Sequence, residues 1–367
     1  MARARLIAYY LPQFHPIPEN DGWWGEGFTE WTNVRRARPL FPGHRQPRAP
    51  GRLGYYDLRD PGARIAQAEL ARRHGVEGFA YWHYWFGDGR RLLERPFEEV
   101  LGSGSPDFPF CLAWANQSWT GIWHGAPDRV LVEQRHPGPA DEERHFEAVL
   151  PAFRDPRYIR VEGRPLFVVQ APLELPRPAA FAATWRRLAE RAGLPGLFLV
   201  GVAWRGWEPE PDGFDASVID NPATAISGLR WPRDAVLRRL ERLTGFRVSR
   251  ALERARRRPQ VFHYAAAARH ALPPLATRGL QLPCVIPDWD NTPRAGVRGV
   301  VWQGSTPELF AAHLAAALGQ VAARVPERRL VFLKSWNEWA EGNYVEPDRD
   351  FGTGYLEAIA AHLAPLR

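Results

Sequence analysis

Two glutamates three residues apart, Glu338 and Glu341, are the sharpest chemical feature of this chain. They lie in the run Ser-Trp-Asn-Glu-Trp-Ala-Glu-Gly at residues 335–342, directly after an apolar segment. A spacing of three places both carboxyls on one side of a turn, close enough for their ionisation to be coupled. One could then stay protonated while the other is charged, as glycosidic bond cleavage requires. We therefore predict that both are catalytic, although such pairs are also common on inert helix surfaces.

Short apolar segments alternate with helical patterns along the whole chain. The predicted strands are Leu6–Leu11, Gly78–Trp85, Phe110–Ala115, Leu166–Gln170, Leu197–Ala203, Ala216–Asp220, Cys284–Pro287 and Leu330–Trp336. This alternation favours a parallel sheet, and about eight repeats favour its closure into a (β/α)8 TIM barrel with long βα loops. No G-x-G-x-x-G follows the first segment, which argues against an open nucleotide-binding sheet. We predict a single catalytic domain over residues 1–367.

Helix signals support this alternation. Asp60-Pro61 and Thr306-Pro307 each place a capping side chain before a proline in the first helical turn. Further helices are predicted over Pro178–Ala192, Glu142–Leu150 and Gly354–Leu363. The Arg-rich stretch at residues 231–272 is helical in pattern and predicts an insertion between barrel elements.

Polar and aromatic residues recur just after the predicted strands. In a parallel barrel these positions meet at one face, where substrates bind. Flat aromatic rings and polar side chains at such a face are suited to a sugar, although core aromatics are the plainer explanation for some. The predicted substrate-binding residues are Tyr10, His15, Trp31, Tyr81, His83, Trp85, Trp114, Asn116, Trp119, Asp288, Asp290, Asn291, Trp336 and Asn337.

Several of these residues also have ordinary structural explanations. His15 and His83 could be satisfied histidines at the barrel rim. Asp288 and Asp290 could bind sugar hydroxyls or order a loop. The same Asp-x-Asp could belong to the metal site of a nucleotide-sugar transferase, but three letters are a weak signal. We expect no metal and no cofactor.

Composition limits the choice of partner. The chain has 48 Lys and Arg against 41 Asp and Glu, for a net charge of +7. Almost all the basic residues are arginines scattered over predicted helix faces, which indicates a solvated surface rather than a nucleic-acid site. Lys334, the only lysine, falls on the inward face of the last strand, where we expect burial beside a carboxylate such as Asp220 or Asp288. The 16 tryptophans instead favour an oligosaccharide or polysaccharide.

Other features bear on the compartment. Cys111 and Cys284 are the only cysteines, and each lies in an apolar run that favours a packed, reduced thiol. No apolar stretch long enough for a membrane span and no signal-peptide pattern is evident. We therefore expect a cytoplasmic location; the oligomeric state is not predicted.

Five motifs, spread from the first strand to the last, carry a family resemblance. They are Tyr10–Asn20 (YLPQFHPIPEN), Gly27–Asn33 (GFTEWTN), Pro109–Asn116 (PFCLAWAN), Trp289–Pro293 (WDNTP) and Ser335–Gly342 followed by Glu346-Pro347-Asp348. Together they resemble the WbsX-type proteins of bacterial polysaccharide gene clusters, which are related to glycoside hydrolase family 99, the endo-α-mannosidases.

The resemblance implies a (β/α)8 barrel and a retaining mechanism without a protein nucleophile. Carried over, Glu338 is the base that acts on the sugar's own 2-hydroxyl and yields a 1,2-anhydro intermediate. Glu341 is the acid that assists departure and then activates water. Ala340 stands where the mannosidases have a histidine, so a mannosidase substrate does not follow from the resemblance.

Three functions remain open on the sequence. The first is a glycosidase or transglycosylase that uses the two glutamates. The second is a glycosyltransferase of cell-surface polysaccharide synthesis, a label often attached to WbsX-type proteins. The third is a non-catalytic sugar-binding barrel, which the intact E-x-x-E disfavours. The sugar, its linkage and endo or exo action are not predicted.

Overall fold

The computed structural model describes residues 4–121, 126–202, 207–219, 258–275 and 279–363, with the single residues 222, 225 and 229; for residues 126–128 it describes the backbone alone. Most of the stretch at 231–272 lies outside these ranges. Of the predicted helical insertion, only residues 258–272 can be compared. They form a short strand and a helix.

The centre of the molecule is a parallel sheet of short, buried strands. Its members are β1 (Arg5–Tyr10), β2 (Gly78–His83), β3 (Phe110–Trp114), β7 (Arg164–Val169), β8 (Phe198–Val202), β9 (Ala216–Val218), β11 (Gln281–Leu282), β12 (Cys284–Val285) and β14 (Leu330–Leu333). Neighbours pair in the order β11-β9-β8-β7-β3-β2-β1-β14-β12. Nearly continuous burial along each strand fits a sheet covered on both faces.

The two strands at the ends of this sheet, β11 and β12, follow one another directly in the chain. β11 pairs with β9, β12 pairs with β14, and only Pro283 separates β11 from β12. Proline has no N–H to donate to a neighbouring strand, so Pro283 divides one strand into two short pieces. Counted as one, these pieces make eight strands that complete a circle. The predicted (β/α)8 barrel is confirmed, and each predicted strand overlaps one of the eight.

The described helices lie between the barrel strands in the chain or follow the last of them. They are α1 (Pro18–Trp24), α2 (Glu30–Arg36), α3 (Pro61–Arg73), α4 (Arg95–Ser103), α5 (Pro139–Arg154), α6 (Pro178–Arg191), α7 (Tyr264–Ala271), α8 (Thr292–Ala295), α9 (Pro307–Val321) and α10 (Gly354–Leu363). Two begin at the predicted caps: the Asp60 carboxylate accepts from the N–H of Gly62, and the Thr306 hydroxyl accepts from the N–H of Leu309. None of the described helices is long and apolar enough to cross a membrane.

Several short strands lie outside the eight-stranded barrel and are paired. β4 (Trp119–Gly121) and β5 (Ala126–Val132) form an antiparallel pair after β3, and β6 (Arg160–Val161) pairs with β7. β10 (Gln260–His263) pairs in parallel with β13 (Val300–Gln303). β15 (Asn337–Glu338) and β16 (Asn343–Tyr344) form a hairpin beyond β14. Both cysteines are buried, and neither forms a disulfide.

Candidate active site

A cavity of about 520 Å³ lies at the C-terminal ends of the barrel strands. Residues that directly follow β1, β3, β7 and β14 contribute to its wall: Leu11, Ala115, Gln170 and Lys334. Glu338 and Glu341 line the same cavity. The structure therefore brings the two predicted carboxylates together at the barrel face where active sites form.

The turn that carries the two glutamates is compact. A 3-10 turn at Trp339–Glu341 joins the two strands of the β15–β16 hairpin and ends at Gly342, whose φ is +67°. A Cβ at Gly342 would lie 2.8 Å from the backbone nitrogen of Asp290. Both the left-handed backbone and this close approach call for glycine. The final Gly of the motif is therefore needed for the geometry of the turn.

Side chains within the motif tie this turn to the barrel. The Asn337 amide accepts from the Leu11 N–H at 2.8 Å and donates to the Leu11 carbonyl at 3.0 Å. The indoles of Trp336 and Trp339 donate to the two oxygens of buried Glu346, at 2.9 and 2.7 Å. Trp336 and Asn337, predicted to bind substrate, are thus fully buried and bonded within the protein.

Three carboxylates surround one guanidinium at the cavity wall. Arg294 Nη1 is 2.7 Å from Glu341 Oε1 and 3.7 Å from Glu338 Oε1, while Nη2 is 2.5 Å from Glu30 Oε1. The Ala340 N–H also donates to Glu30, at 3.1 Å. Arg294 partly neutralises charges that would otherwise repel at short range, and its positive charge is in turn stabilised by them.

Glu338 differs from the other two carboxylates. Burial, and then the negative charge of Glu341, raises the pKa of Glu338 to about 7, although Lys334 and Arg294 oppose this shift. Its Oε2 has no hydrogen-bond partner among the described residues. A buried polar atom without a partner is costly and common where a ligand is to be met. Burial also raises the pKa of Glu30.

Lys334 is buried and lines the cavity, as its inward position predicted. Its Nζ lies 5.8 Å from the ring centres of Tyr9 and Trp82. Its positive charge lowers the pKa of Glu338. Of the two carboxylates proposed as its partner, Asp288 pairs with an arginine and Asp220 lies outside the described residues.

Aromatic side chains form much of the remaining wall. Trp82 stacks on Tyr9 with ring centres 4.7 Å apart, and Trp119 meets Tyr84 edge to face at 5.0 Å. The aromatic lining is Trp23, Trp24, Phe28, Trp82, Tyr84 and Trp119. Among the residues predicted to bind substrate, Trp119 is one that lines this cavity.

Four predicted binding residues near the first two strands lie in the packed interior instead. The Tyr10 hydroxyl donates to Gln67 Oε1 at 2.7 Å, and the Trp31 indole donates to a backbone carbonyl at 2.8 Å. His15 Nδ1 is 3.1 Å from the carbonyl of Pro12, and burial lowers its pKa. Tyr81 packs among aromatic rings of the core. Their predicted contact with substrate stays a prediction.

A second group of predicted substrate-binding residues lies at the ends of β2 and β3. His83 Nε2 is 2.8 Å from His145 Nε2, and burial lowers the pKa of His83 to about 3. The indoles of Trp85 and Trp114 donate to Asp141 and to the Trp85 carbonyl, both at 3.0 Å. These two rings line a separate cavity of about 110 Å³. The Asn116 amide bonds both ways to the backbone of residue 171.

The Asp-Trp-Asp-Asn segment after the seventh strand is occupied by internal partners. Asp288 Oδ2 is 2.9 Å from Arg48 Nη1, and Asn291 Oδ1 accepts from the N–H of Val300 at 2.8 Å. Asp290 is fully buried. Its donors are His44 Nε2 at 2.8 Å, Gln46 Nε2 at 2.7 Å and the backbone N–H of Thr292 at 3.0 Å.

Glu30 and Arg294 were not among the predicted site residues. Glu30 is the first residue of α2, which Thr29 and Thr32 cap reciprocally, and its side chain reaches the cavity. Arg294 directly follows the Trp289–Pro293 motif. Two glutamates in a buried turn need a nearby cation. This requirement is the sequence feature that could have indicated Arg294.

Proteins of known sequence resemble this chain along its length. Xanthomonas campestris pv. campestris, strains B100 and ATCC 33913, has a protein described as the uncharacterized protein WxcX. Each version is 40% identical over 361 residues, which cover 97% of this chain and 49% of the relative. The chain therefore spans about half the length of these relatives.

Solved structures share the fold. A GH99 endo-alpha-mannosidase from Bacteroides thetaiotaomicron, in complex with Bis-Tris-propane, superposes with a TM-score of 0.58 at 15% identity; 97% of this chain and 95% of that one are covered. A glycoside hydrolase-like protein gives a TM-score of 0.58 at 12% identity, with coverages of 100% and 95%. At these identities the likeness concerns the fold.

The family described as Glycosyltransferase WbsX matches residues 6–359, nearly the whole chain. The match includes all but the first residue of β1, the E-x-x-E turn and most of α10. Together with the 40% identical relatives, it agrees with the motifs that suggested the resemblance. The chain belongs to the WbsX family.

Proposed function

We propose that this chain is a carbohydrate-active enzyme that cleaves or transfers glycosidic bonds, with Glu338 and Glu341 as its catalytic carboxylates. The observation that carries the proposal is the placement of both side chains on one cavity of about 520 Å³ with tryptophan walls. A sugar ring can stack on such walls while its hydroxyls meet the carboxylates.

The two roles are those that the resemblance to glycoside hydrolase family 99 implies. Glu338, with a pKa raised to about 7, is a stronger base than an ordinary carboxylate and suits removal of a proton from a sugar hydroxyl. Its unpartnered Oε2 is available for that proton. By the same resemblance Glu341, which Arg294 holds in position at 2.7 Å, is the acid that gives its proton to the leaving group. The resemblance further implies a retaining mechanism, in which the sugar's own 2-hydroxyl attacks the anomeric carbon and forms a 1,2-anhydro intermediate.

The charge balance of the site fits one mobile proton. Glu30, Glu338 and Glu341 are opposed by two cations, Arg294 and Lys334, so three ionised carboxylates would leave one excess negative charge. Burial makes that excess unfavourable, and uptake of one proton removes it. An acid–base reaction needs such a proton to move between groups.

The deciding experiment incubates the purified protein with oligosaccharides prepared from surface polysaccharides of the source organism, with product anomers followed by NMR. Glu341→Gln should still bind glycan but lose turnover, while Glu190→Gln, an exposed glutamate outside the cavity, should behave as wild type. Near wild-type turnover in Glu341→Gln would eliminate the proposed acid.

The pH profile tests the order of the roles. If Glu338 is the base, kcat/KM rises as the pH increases through about 7, because the carboxylate must be ionised. A fall of kcat/KM over the same range would reverse the two roles. Turnover that requires a nucleotide- or lipid-linked sugar would instead favour the glycosyltransferase alternative.

A further inference from the structure

A second groove, of about 430 Å³, lies beside α8 and the segment that follows α2. Arg36 and Arg38 contribute from one side, and Arg298, in the 3-10 turn Gly296–Arg298, contributes from the other. Apolar contacts come from Leu40 and Pro293. The groove thus combines guanidinium groups with a small apolar floor.

This groove is positively charged, and three of its arginines have no ion-pair partner among the described residues. Its described lining has four arginines and no aspartate or glutamate. Arg36, Arg38 and Arg298 are exposed, and none forms an ion pair within the described part of the chain. Other surface arginines do have such partners, for example Arg5 with Glu77 at 2.6 Å. Like charges gathered without a counter-ion repel one another, and a bound anion relieves that repulsion.

Arg294 connects the groove to the catalytic cavity. Its side chain lines both, and its guanidinium contacts Glu341 and Glu30 on the cavity side. The groove therefore adjoins the cavity at Arg294. The position distinguishes this basic cluster from arginines scattered elsewhere on the surface.

We propose that this groove binds an anionic group of the same carbohydrate whose ring occupies the cavity. The inference rests on the proposed function, since it treats the groove as an extension of that substrate site. The anion is a carboxylate, as in a uronic acid, or a phosphate carried by the sugar. Guanidinium groups bind either one through paired hydrogen bonds, and the affinity falls as salt is added.

The test measures direct binding, so it does not need turnover. Isothermal titration calorimetry at low ionic strength compares three probes: trigalacturonate, inorganic pyrophosphate and the neutral trisaccharide maltotriose. The groove variant is Arg36→Gln/Arg38→Gln/Arg298→Gln. Its matched control, Arg187→Gln/Arg269→Gln/Arg349→Gln, removes the same charge from exposed arginines that line neither cavity nor groove.

We expect at least one anionic probe to bind wild type and control alike, and to bind the groove variant roughly tenfold or more weakly, because each lost arginine contact weakens a charge-assisted bond. Preference for trigalacturonate identifies a carboxylate, and preference for pyrophosphate identifies a phosphate. Equal weakening in both triple variants, or no anion binding by wild type, overturns the proposal.

Failure here can be told apart from failure of the proposed function. Glu338→Gln should retain anion binding, since the groove lies outside the pair of catalytic carboxylates. Turnover of a glycan without any anion binding removes only the groove proposal. Anion binding by a protein that turns over no glycan removes only the proposed function.

Discussion

Two acidic pairs follow neighbouring strands of this barrel and have opposite surroundings. Asp288 and Asp290 follow the seventh strand and are bonded to internal donors, among them Arg48 and His44. Glu338, after the eighth strand, has a raised pKa and an oxygen without a partner in the described structure. The first pair is bonded to neighbouring loops, whereas Glu338 of the second pair has an oxygen that can accept a hydrogen bond from a ligand. Position at a strand end therefore does not by itself leave a carboxylate free to contact a ligand.

The largest expected effect is on the available pair. Glu338→Gln should lower kcat by about 10²–10⁴-fold, because the amide cannot take a proton from substrate. Steady-state kinetics on the oligosaccharide found by screening measures this change. Asp288→Asn, which alters the bonded pair, should cost far less in kcat wherever the protein folds. Equal losses in the two variants would break the comparison.

The bonded pair should instead control stability. Asp290→Ala leaves His44, Gln46 and the Thr292 N–H without their acceptor and should lower the free energy of unfolding by about 3–5 kcal/mol. Urea unfolding monitored by tryptophan fluorescence gives the value. Glu338→Gln should show no such loss, and a loss under about 1 kcal/mol for Asp290→Ala would contradict a structural role.

Glu338 and Asp290, one member of each pair, should also respond to pH with opposite signs. The folded-state pKa of Glu338 lies above its ordinary value, so wild-type stability falls as the pH rises from about 4.5 towards 7. Burial acts on Asp290 in the same direction, but donation from His44 and the charge of Arg48 outweigh it and lower its pKa. Its contribution is therefore present above its ordinary pKa and lost as the pH falls below it.

The contribution of Glu338 can be measured by comparing the free energy of unfolding of Glu338→Gln with that of wild type at several pH values. The unfolding free energy of Glu338→Gln minus that of wild type should grow between pH 5 and pH 8, by up to about 3 kcal/mol. Glu190→Gln, an exposed control, should give no such trend. A constant difference across the range would mean that burial does not shift Glu338.

The smallest expected effect concerns the cavity wall. Trp119→Ala should raise KM by about tenfold, equivalent to about 1.4 kcal/mol of lost contact, and leave kcat nearly unchanged. Trp85→Ala, which removes a ring outside this cavity, should act on thermal stability and not on KM. The reverse pattern would assign the sugar to the separate cavity that Trp85 lines.

Much of the fold was predictable because it depends on periodic patterns. Apolar segments, capping residues and the alternation of strand and helix gave the barrel, and Asp60 and Thr306 gave two helix starts. The split of one strand at Pro283 needed coordinates, since a proline between apolar residues also fits a loop. The β10–β13 pair was also unexpected, because it depends on contacts between distant segments.

The site was predictable to a lesser degree. The E-x-x-E spacing and strand-end position predicted the two cavity carboxylates, yet neighbouring Trp336 and Asn337 turn into the protein. Successive residues at a strand end face different directions, and sequence alone does not settle which one meets the cavity. Arg294 could not be predicted from the sequence, because its contacts depend on where the fold places α8 relative to Glu30 and Glu341.

The junction at Pro283 has a consequence for association between copies. Since β11 meets β9 and β12 meets β14, the barrel sheet has no unpaired outer strand. An exposed strand margin is where another polypeptide can add by backbone bonding, the usual start of aggregation in sheet proteins. The ring thereby removes this route from the largest sheet of the molecule.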